Sequence, residues 1–397
     1  MSPGRPVVIA ALGLAQILAW GSSYYLPAVL AGPIASDTGW PLAWVVGGLS
    51  CGLLVSAAAS PRVGHAIGRH GGRPVLALAA LLLAAGLVTL GLAPVLPVYL
   101  AGWLVIGLGM GFGLYDPAFA TLGRLYGAEA RPAITTLTLW GGFASTVCWP
   151  LSAWLVEHVG WRWTCFAYAG LHLAVTLPLV LLLIPSPPEL VPDAAGAQDS
   201  VGPLRGRERR LFLLLASILV CGGVIMGVVS VHLLTLLQAQ GVALAAAVSL
   251  GALIGPSQVG ARLIEMAGKS RHHPLWTLTA ALVLVTIGLV LLATGFGPVA
   301  LALVLYGAGN GIFSIARGTV PLALFGPHRY APLVGRLARP GLVAQAIAPP
   351  LGAFVLLHGG VAGTFGLLVA LGLASLALAG GVWTERLDRS ASGEGAA

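Results

Sequence analysis

Two charged side chains interrupt long apolar segments of this 397-residue chain. Asp116 stands in the segment 97–120 and Arg317 in the segment 299–322. Each lies about 19 residues from the start of its segment, which is roughly 28 Å along a helix that rises 1.5 Å per residue. Because an ionised group is costly in apolar surroundings, such residues are usually functional. We expect Asp116 and Arg317 to form a charge pair at one end of their helices. The alternatives are two independent charges and, for Asp116, a role in binding a proton or a small molecule.

Other candidates offer hydrogen bonds and aromatic surface to a small ligand. Gln16, Trp20 and Tyr24 follow at intervals of four residues, which predicts one helical face that carries an amide, an indole and a phenol. Alternatively, the two rings are anchors at an interface. His232 is a candidate for binding an anion or exchanging a proton, because histidine titrates near neutrality, or it is a hydrogen-bonded residue at an interface. Further candidates for contact with the ligand are Trp140, Trp149, Asn310 and Gln345.

Enzyme chemistry finds little support in the sequence. There is no Walker nucleotide loop and no His-Glu metal pair. The cysteines fall inside apolar segments without metal-ligand spacing, which indicates small buried residues: Cys51, Cys148, Cys165 and Cys221. We therefore predict a protein that is not an enzyme and has no catalytic residues, no metal site and no cofactor.

Composition indicates a protein that lipid solvates. Hydrophobic residues make up 58% of the chain and charged residues 8%, and the mean hydropathy is +0.95. A soluble chain of this length could not bury so much apolar surface, whereas a bilayer can solvate it. The net charge of +8 does not predict a nucleic-acid partner, because the charges lie in short loops.

Twelve segments are long and apolar enough to cross a bilayer, which takes about 20 residues. They are 7–30, 43–60, 74–93, 97–120, 133–156, 163–184, 211–237, 243–262, 275–294, 299–322, 340–357 and 363–383. Of the twenty Lys and Arg residues, nineteen fall on one side of this arrangement, Arg262 after the eighth segment among them, and only Arg162 falls on the other. The positive-inside rule then predicts that both termini are cytoplasmic. We expect a multi-pass protein of a bacterial inner membrane.

An internal duplication divides the chain into two halves at an offset of 200 residues. Gly107, Gly109 and Gly111 recur as Gly307, Gly309 and Gly311, and a later group recurs likewise, for example Pro150 as Pro350 and Gly160 as Gly360. We predict an all-α membrane protein of twelve transmembrane helices in two pseudo-symmetric six-helix bundles. The expected divisions are an N-terminal bundle 1–184, a cytoplasmic linker 185–210, a C-terminal bundle 211–383 and a cytoplasmic tail 384–397.

On these features the chain resembles the major facilitator superfamily over nearly its whole length. The sequence between helices 2 and 3 is similar to the family's signature loop G-x-x-x-D-R-x-G-R-R, with Gly64, Arg69 and Arg73 at matching positions and Gly68 in place of the acidic residue. In the family this loop clamps the cytoplasmic ends of helices, so the resemblance implies a gating role for these three matching residues. If the chain works as this family does, we expect the Asp116–Arg317 pair to act as a gate.

Two departures separate the chain from the family's drug/proton antiporters. Trp103 stands where those antiporters carry an arginine, and Trp149 replaces a glycine of their helix 5 motif. The stretch Asp37–Trp44, together with Gly160-Trp161-Arg162-Trp163, looks closer to branches that resemble monocarboxylate porters.

The resemblance implies a secondary active transporter that works by alternating access. We expect a small organic solute, with an organic anion favoured, and coupling to protons through Asp116 or His232. The expected partners are this substrate, the lipid bilayer and protons, with no nucleic acid, and we expect a monomer. The alternatives are an exporter of drugs or hydrophobic compounds and, in another class, a membrane receptor or sensor that does not transport. The direction of transport is not predicted.

Overall fold

The computed structural model describes residues 3–185, 204–268 and 271–391, with side chains through residue 386. Every regular element within these ranges is a helix. Most of the predicted linker 185–210 and the end of the predicted tail 384–397 lie outside the described residues. The predicted boundaries of the bundles, the linker and the tail therefore stay a prediction.

The chain forms two compact units. The first comprises Met1–Ser200 together with Gly326–Arg339, and the second comprises Val201–Phe325 and Pro340–Ala397. A short segment from the second half of the sequence thus packs onto the first half. We describe each unit by itself.

The described residues of the first unit form nine complete α-helices, a 3₁₀ turn and a π-helical turn. The α-helices are α1 Arg5–Gly21, α2 Pro27–Thr38, α3 Leu42–His70, α4 Gly72–Leu92, α5 Leu96–Gly113, α6 Tyr115–Tyr126, α7 Ala130–Gly142, α8 Ala144–Leu171 and α9 Leu177–Leu183. The 3₁₀ turn is Gly127–Glu129 and the π-helical turn is His172–Thr176.

The second unit contains most of the remaining helices. They are α10 Gly206–Ala239, α11 Leu244–Gly251, α12 Ile254–Ala267, α13 Pro274–Thr294, α14 Val299–Phe325 and α15 Pro327–Ala391. The beginning of α15, through Arg339, belongs to the first unit.

Eight apolar helical stretches among the described residues are long enough to cross a membrane, and two of them are far too long for one crossing. The stretch Leu96–Leu183 has 88 residues. At 1.5 Å per residue it would extend about 130 Å, whereas the hydrocarbon core is about 30 Å thick. It must therefore turn back several times.

Glycines make two of these reversals. The φ angle is +79° at Gly160 within α8 and +62° at Gly360 within α15. With ψ angles of 167° and −165°, both residues occupy a region that is essentially open to glycine alone. This explains why the two residues recur at the offset of 200.

Prolines break two of the predicted apolar segments into shorter helices. The predicted segment 7–30 divides into α1 and α2 because Pro27 has no N–H to extend the helix. The predicted segment 97–120 divides into α5 and α6 at Leu114, three residues before Pro117. Bundles of membrane helices tolerate such breaks, because neighbouring groups can bond the freed backbone atoms.

The predicted signature loop is mostly helical. Helix α3 continues to His70 and α4 begins at Gly72, so only Gly71 separates them. The φ angle of +79° at Gly71 makes the tight reversal. Gly64 and Arg69 therefore lie on the last turns of α3, and Arg73 lies on the first turn of α4.

Candidate substrate site

The break between α5 and α6 creates a polar position inside the first unit. Pro117 has no N–H, so the carbonyl of Gly113 loses the donor that an unbroken helix would supply. Gln16 replaces that donor, with its Nε2 atom 2.6 Å from the Gly113 oxygen. Its Oε1 atom accepts a hydrogen bond from Trp20 Nε1 at 3.1 Å. Gln16 is 1% exposed, and both ends of its amide are bonded.

An aromatic cluster surrounds this position. The ring centroid of Trp20 lies 5.4 Å from that of Tyr24, 6.0 Å from that of Tyr25 and 5.0 Å from that of Tyr115. Tyr25 also lies 5.9 Å from Trp149. We call these five residues the aromatic cluster. Edge-to-face and tilted contacts of this kind favour a rigid arrangement of the rings.

The structure brings Tyr24 beside Trp20 for a reason that differs from the predicted one. Helix α1 ends at Gly21, so the spacing of four residues does not place Tyr24 on a helical face. Instead, the turn that precedes Pro27 carries Tyr24 and Tyr25. Sequence reasoning missed Tyr25 and Tyr115, although a pair of tyrosines just before a proline was the available signal.

Two other polar or aromatic residues of the first unit pack within it. A methyl group at Gly13 would lie 2.5 Å from Trp140 Cδ2, so the indole of Trp140 covers this glycine. His172 is fully buried, and its Nε2 atom lies 2.7 Å from Ser22 Oγ. Its Nδ1 atom has no hydrogen-bond partner among the described residues.

In the second unit, the predicted site residues lie on three helices. His232 on α10 donates from Nε2 to the Pro349 carbonyl at 2.9 Å. The Nε2 atom of Gln345 on α15 lies 3.4 Å from the Sδ atom of Met226. Asn310 on α14 and Met226 line the same small cavity, which has a volume of about 20 Å³. Met226 therefore contacts Gln345 and shares this cavity with Asn310.

The second unit also buries an arginine that sequence reasoning placed in a loop. Arg262 lies within α12 and is 5% exposed. Its Nε atom donates to the Gly311 carbonyl at 3.1 Å, and its Nη1 atom is buried without a hydrogen-bond partner among the described residues. Glu265, one turn away, is engaged by Thr277 at 2.7 Å. The guanidinium of Arg262 thus has one carbonyl contact and no described carboxylate.

The predicted gating residues of the first unit lie near a close crossing of two helices. A methyl group at Gly64 would lie 2.5 Å from the Ala331 carbonyl and 3.1 Å from the Gly335 Cα atom. Asp116, in the first turn of α6, lines a cavity of about 10 Å³ beside Gly64 and Gly335. An acidic residue at a helix N-terminus is stabilised by the helix dipole. The pairing of Asp116 with Arg317 of the second unit, and the gating roles of Arg69 and Arg73, stay predictions.

Comparison with known proteins agrees with this architecture. The family profile of the Major Facilitator Superfamily matches residues 12–331. Monocarboxylate transporter 11 of Mus musculus is 29% identical over 350 residues, which are 86% of this chain and 69% of that protein.

Solved structures share the fold at low sequence identity. The human organic anion transporter MFSD10 (TETRAN) superposes with a TM-score of 0.76 at 18% identity, over 95% of this chain and all of that one. The fucose transporter FucP in the outward conformation superposes with a TM-score of 0.76 at 13% identity. The superposition covers 94% of this chain and 98% of that one. The proton:xylose symporter XylE superposes with a TM-score of 0.70 at 12% identity, over 94% of each chain. The chain belongs to the major facilitator superfamily, and it is a membrane transporter rather than an enzyme.

Proposed function

We propose that the protein is a secondary active transporter that moves a small organic anion by alternating access. The observation that carries this proposal is the buried guanidinium of Arg262, which has a single carbonyl partner at 3.1 Å. An arginine is always charged at physiological pH, and burying an unpaired charge costs several kcal/mol. A carboxylate that arrives with the substrate would supply the missing counterion.

Two relatives support an anionic substrate. One is described as an organic anion transporter and another as a monocarboxylate transporter. A planar guanidinium matches a carboxylate because two parallel N–H groups can bond both oxygens. Arg262 has donors left for this purpose, since only Nε is engaged by Gly311.

The aromatic cluster is the proposed contact for the organic part of the substrate. Trp20, Tyr24, Tyr25, Tyr115 and Trp149 offer ring surface and hydroxyl groups in the first unit. The candidates in the second unit are His232, Asn310 and Gln345. We infer that the substrate combines a carboxylate with an apolar or aromatic body.

A second candidate function is the export of hydrophobic compounds, which the aromatic cluster favours. An exporter of this kind recognises apolar bodies and has no use for a buried, uncompensated cation. The two functions therefore differ in how strongly transport depends on Arg262.

We also propose proton coupling, a bacterial inner-membrane location with both termini cytoplasmic, and a monomeric state. Coupling draws support from XylE, which is described as a proton symporter, and from the titratable candidates Asp116 and His232. The orientation draws support from the nineteen basic residues on one side of the predicted topology.

The decisive experiment is uptake into proteoliposomes of radiolabelled monocarboxylates with apolar or aromatic bodies, at two external pH values. We expect accumulation of at least one anion, faster with a proton gradient. We expect the Arg262→Gln variant to lose at least about tenfold in uptake, since an arginine–carboxylate contact is worth about 1.5–3 kcal/mol, and Arg262→Lys to lose less. Arg62→Gln is the matched control, because Arg62 occupies the equivalent repeat position and is exposed.

Two outcomes would overturn the proposal. If no anion accumulates at either pH value, the substrate class is wrong. If a neutral hydrophobic compound is transported equally well by the parent protein and by Arg262→Gln, the export function replaces it.

The proposed gate has its own test. Cysteine-accessibility labelling should show that Asp116→Asn and Arg317→Gln each shift the populations that open to the two sides of the membrane. A double charge swap, Asp116→Arg with Arg317→Asp, should restore the original populations. Unchanged populations in both single variants would contradict the pairing.

A further inference from the structure

We propose that a cavity in the first unit binds a phosphate-type oxyanion, at a site separate from Arg262. The cavity has a volume of about 310 Å³. Its lining includes four side chains that carry or can carry positive charge: His65 and Arg69 of α3, Arg124 of α6 and His328 of α15. All four belong to the first unit.

The charge around this cavity is of one sign. None of its described lining residues is acidic, while two guanidinium groups and two imidazoles from three helices share the volume. Positive groups that face one cavity concentrate anions within it. Arginine is the side chain best suited to phosphate, because its fork of N–H donors bonds two oxygens at once.

The backbone around the cavity leaves room for a ligand. Gly68 and Gly127 line it without side chains, and a methyl group at either would meet nothing closer than 3.6 Å. Gly127 ends α6 with a φ angle of +55°, a conformation that other residues rarely adopt. The first turn of α15, which begins at Pro327, also lines the cavity, and the positive end of its helix dipole adds to the attraction for an anion.

A bound anion would connect α15 to α3 and α6. His328 belongs to α15, whereas Arg69 and Arg124 belong to the other two helices. The same part of α15 crosses α3 at Gly64 and Gly335. The anion would therefore stabilise this crossing. Its phosphate group could belong to a lipid headgroup or to a soluble compound, and the experiment separates these sources.

The test uses the full-length protein in phosphatidylcholine nanodiscs. One arm titrates inorganic phosphate by calorimetry, with chloride at matched ionic strength as the reference. The other arm compares thermal unfolding with and without phosphatidic acid in the nanodisc. We expect saturable stabilisation by phosphate, by phosphatidic acid or by both. Arg124→Gln and Arg69→Gln should each weaken the effect at least about tenfold, which corresponds to a lost charge-assisted hydrogen bond.

Control variants make each result decisive. Arg62→Gln, on the exposed surface of α3 and outside the cavity lining, and Arg262→Gln should retain binding. Arg124→Lys should retain part of the binding, because it keeps the positive charge. A misfolded variant would lose binding whichever residue replaced Arg124. The proposal is overturned if neither phosphate source acts, if chloride acts equally, or if Arg262→Gln abolishes binding while Arg124→Gln does not. The last result would assign the anion to the proposed substrate site.

Discussion

The Gly160 turn (154–164) and the Gly360 turn (354–364) share the same local hydrogen bonds and ring contact. His158 Nδ1 donates to the Trp154 carbonyl at 2.8 Å, and the two rings stack with centroids 4.6 Å apart. In the second turn, His358 Nδ1 donates to the Phe354 carbonyl at 2.9 Å, with centroids 4.3 Å apart. Thr164 and Thr364 donate to the carbonyls of Gly160 and Gly360 at 2.8 Å and 2.9 Å.

The surroundings of the two turns differ. Trp161 Nε1 donates to Asp37 Oδ2 at 2.9 Å, and Arg162 Nη1 donates to the carbonyls of Gly91 and Ala93 at 3.1 Å and 2.9 Å. Leu237, Val361 and Ala362 occupy the repeat positions of Asp37, Trp161 and Arg162, and they cannot form these bonds. The two units therefore share the residues that shape the backbone and differ in those that add polar contacts.

Repeat partners near residues 62–64 and 262–264 also differ in their surroundings. Gly64 packs closely against Gly335, whereas its repeat partner Ile264 is 76% exposed. Arg262 is buried, whereas its partner Arg62 is exposed. At both positions the two repeat partners differ in their surroundings, and at both we propose function for the more closely packed one.

The largest expected effect comes from filling the crossing at Gly64. Gly64→Ala places a methyl group 2.5 Å from the Ala331 carbonyl, and backbone atoms cannot move aside easily. We expect a loss of about 3 kcal/mol of stability, at the upper end for overpacking. The apparent melting temperature of the detergent-solubilised protein measures it.

The matched control is Gly47→Ala on the same helix, where a methyl group meets nothing within 4 Å. It should be neutral or slightly stabilising, because alanine favours helices. Equal melting temperatures for the two variants would contradict the close crossing.

A smaller and symmetric effect is expected at the two turns. Gly160→Ala and Gly360→Ala force alanine into a conformation that is nearly exclusive to glycine, and each should cost about 2 kcal/mol. Thermal unfolding of both variants should show similar decreases. A large decrease in only one variant would break the equivalence of the turns.

The smallest effect is expected at the contact that only the first unit has. Asp37→Asn removes the charge that faces Arg162, whose Nε atom lies 4.0 Å from Asp37 Oδ2, but keeps an acceptor for Trp161. Because both charged side chains are partly exposed, we expect a loss of at most about 1 kcal/mol. Asp37→Leu, which copies the second unit, should lose more. Equal losses for Asp37→Asn and Asp37→Leu would contradict a contribution from the Trp161 hydrogen bond, because both variants lack the charge.

Sequence reasoning predicted the fold well because helix number depends on local hydropathy. The apolar segments, the prolines and the repeated glycines are all visible without tertiary contacts. It missed the burial of Arg262, because only the packing of α12 against Gly311 removes that side chain from solvent. It also missed the contact of Gly64 with Gly335, because the two residues are far apart in sequence and meet only through the docking of Gly326–Arg339 on the first unit.

The site showed the same limit. Gln16, Trp20 and Tyr24 do lie together, but Tyr24 reaches Trp20 through a turn rather than a helical face. The break before Pro117, which gives Gln16 its partner, depends on one missing N–H group and cannot be recognised from hydropathy.

That break at Leu114 has a mechanical consequence. In an ordinary helix, bending pulls apart hydrogen bonds that the helix makes to itself. Here the Gly113 carbonyl is already bonded to Gln16 of α1 rather than to its own helix. The joint between α5 and α6 can therefore flex while that bond is kept, so α5 stays attached to α1 as α6 swings. Since Tyr115 and Asp116 both lie in the first turn of α6, this pivot would carry the Asp116 carboxylate through an arc and would shift the Tyr115 ring against Trp20 of α1.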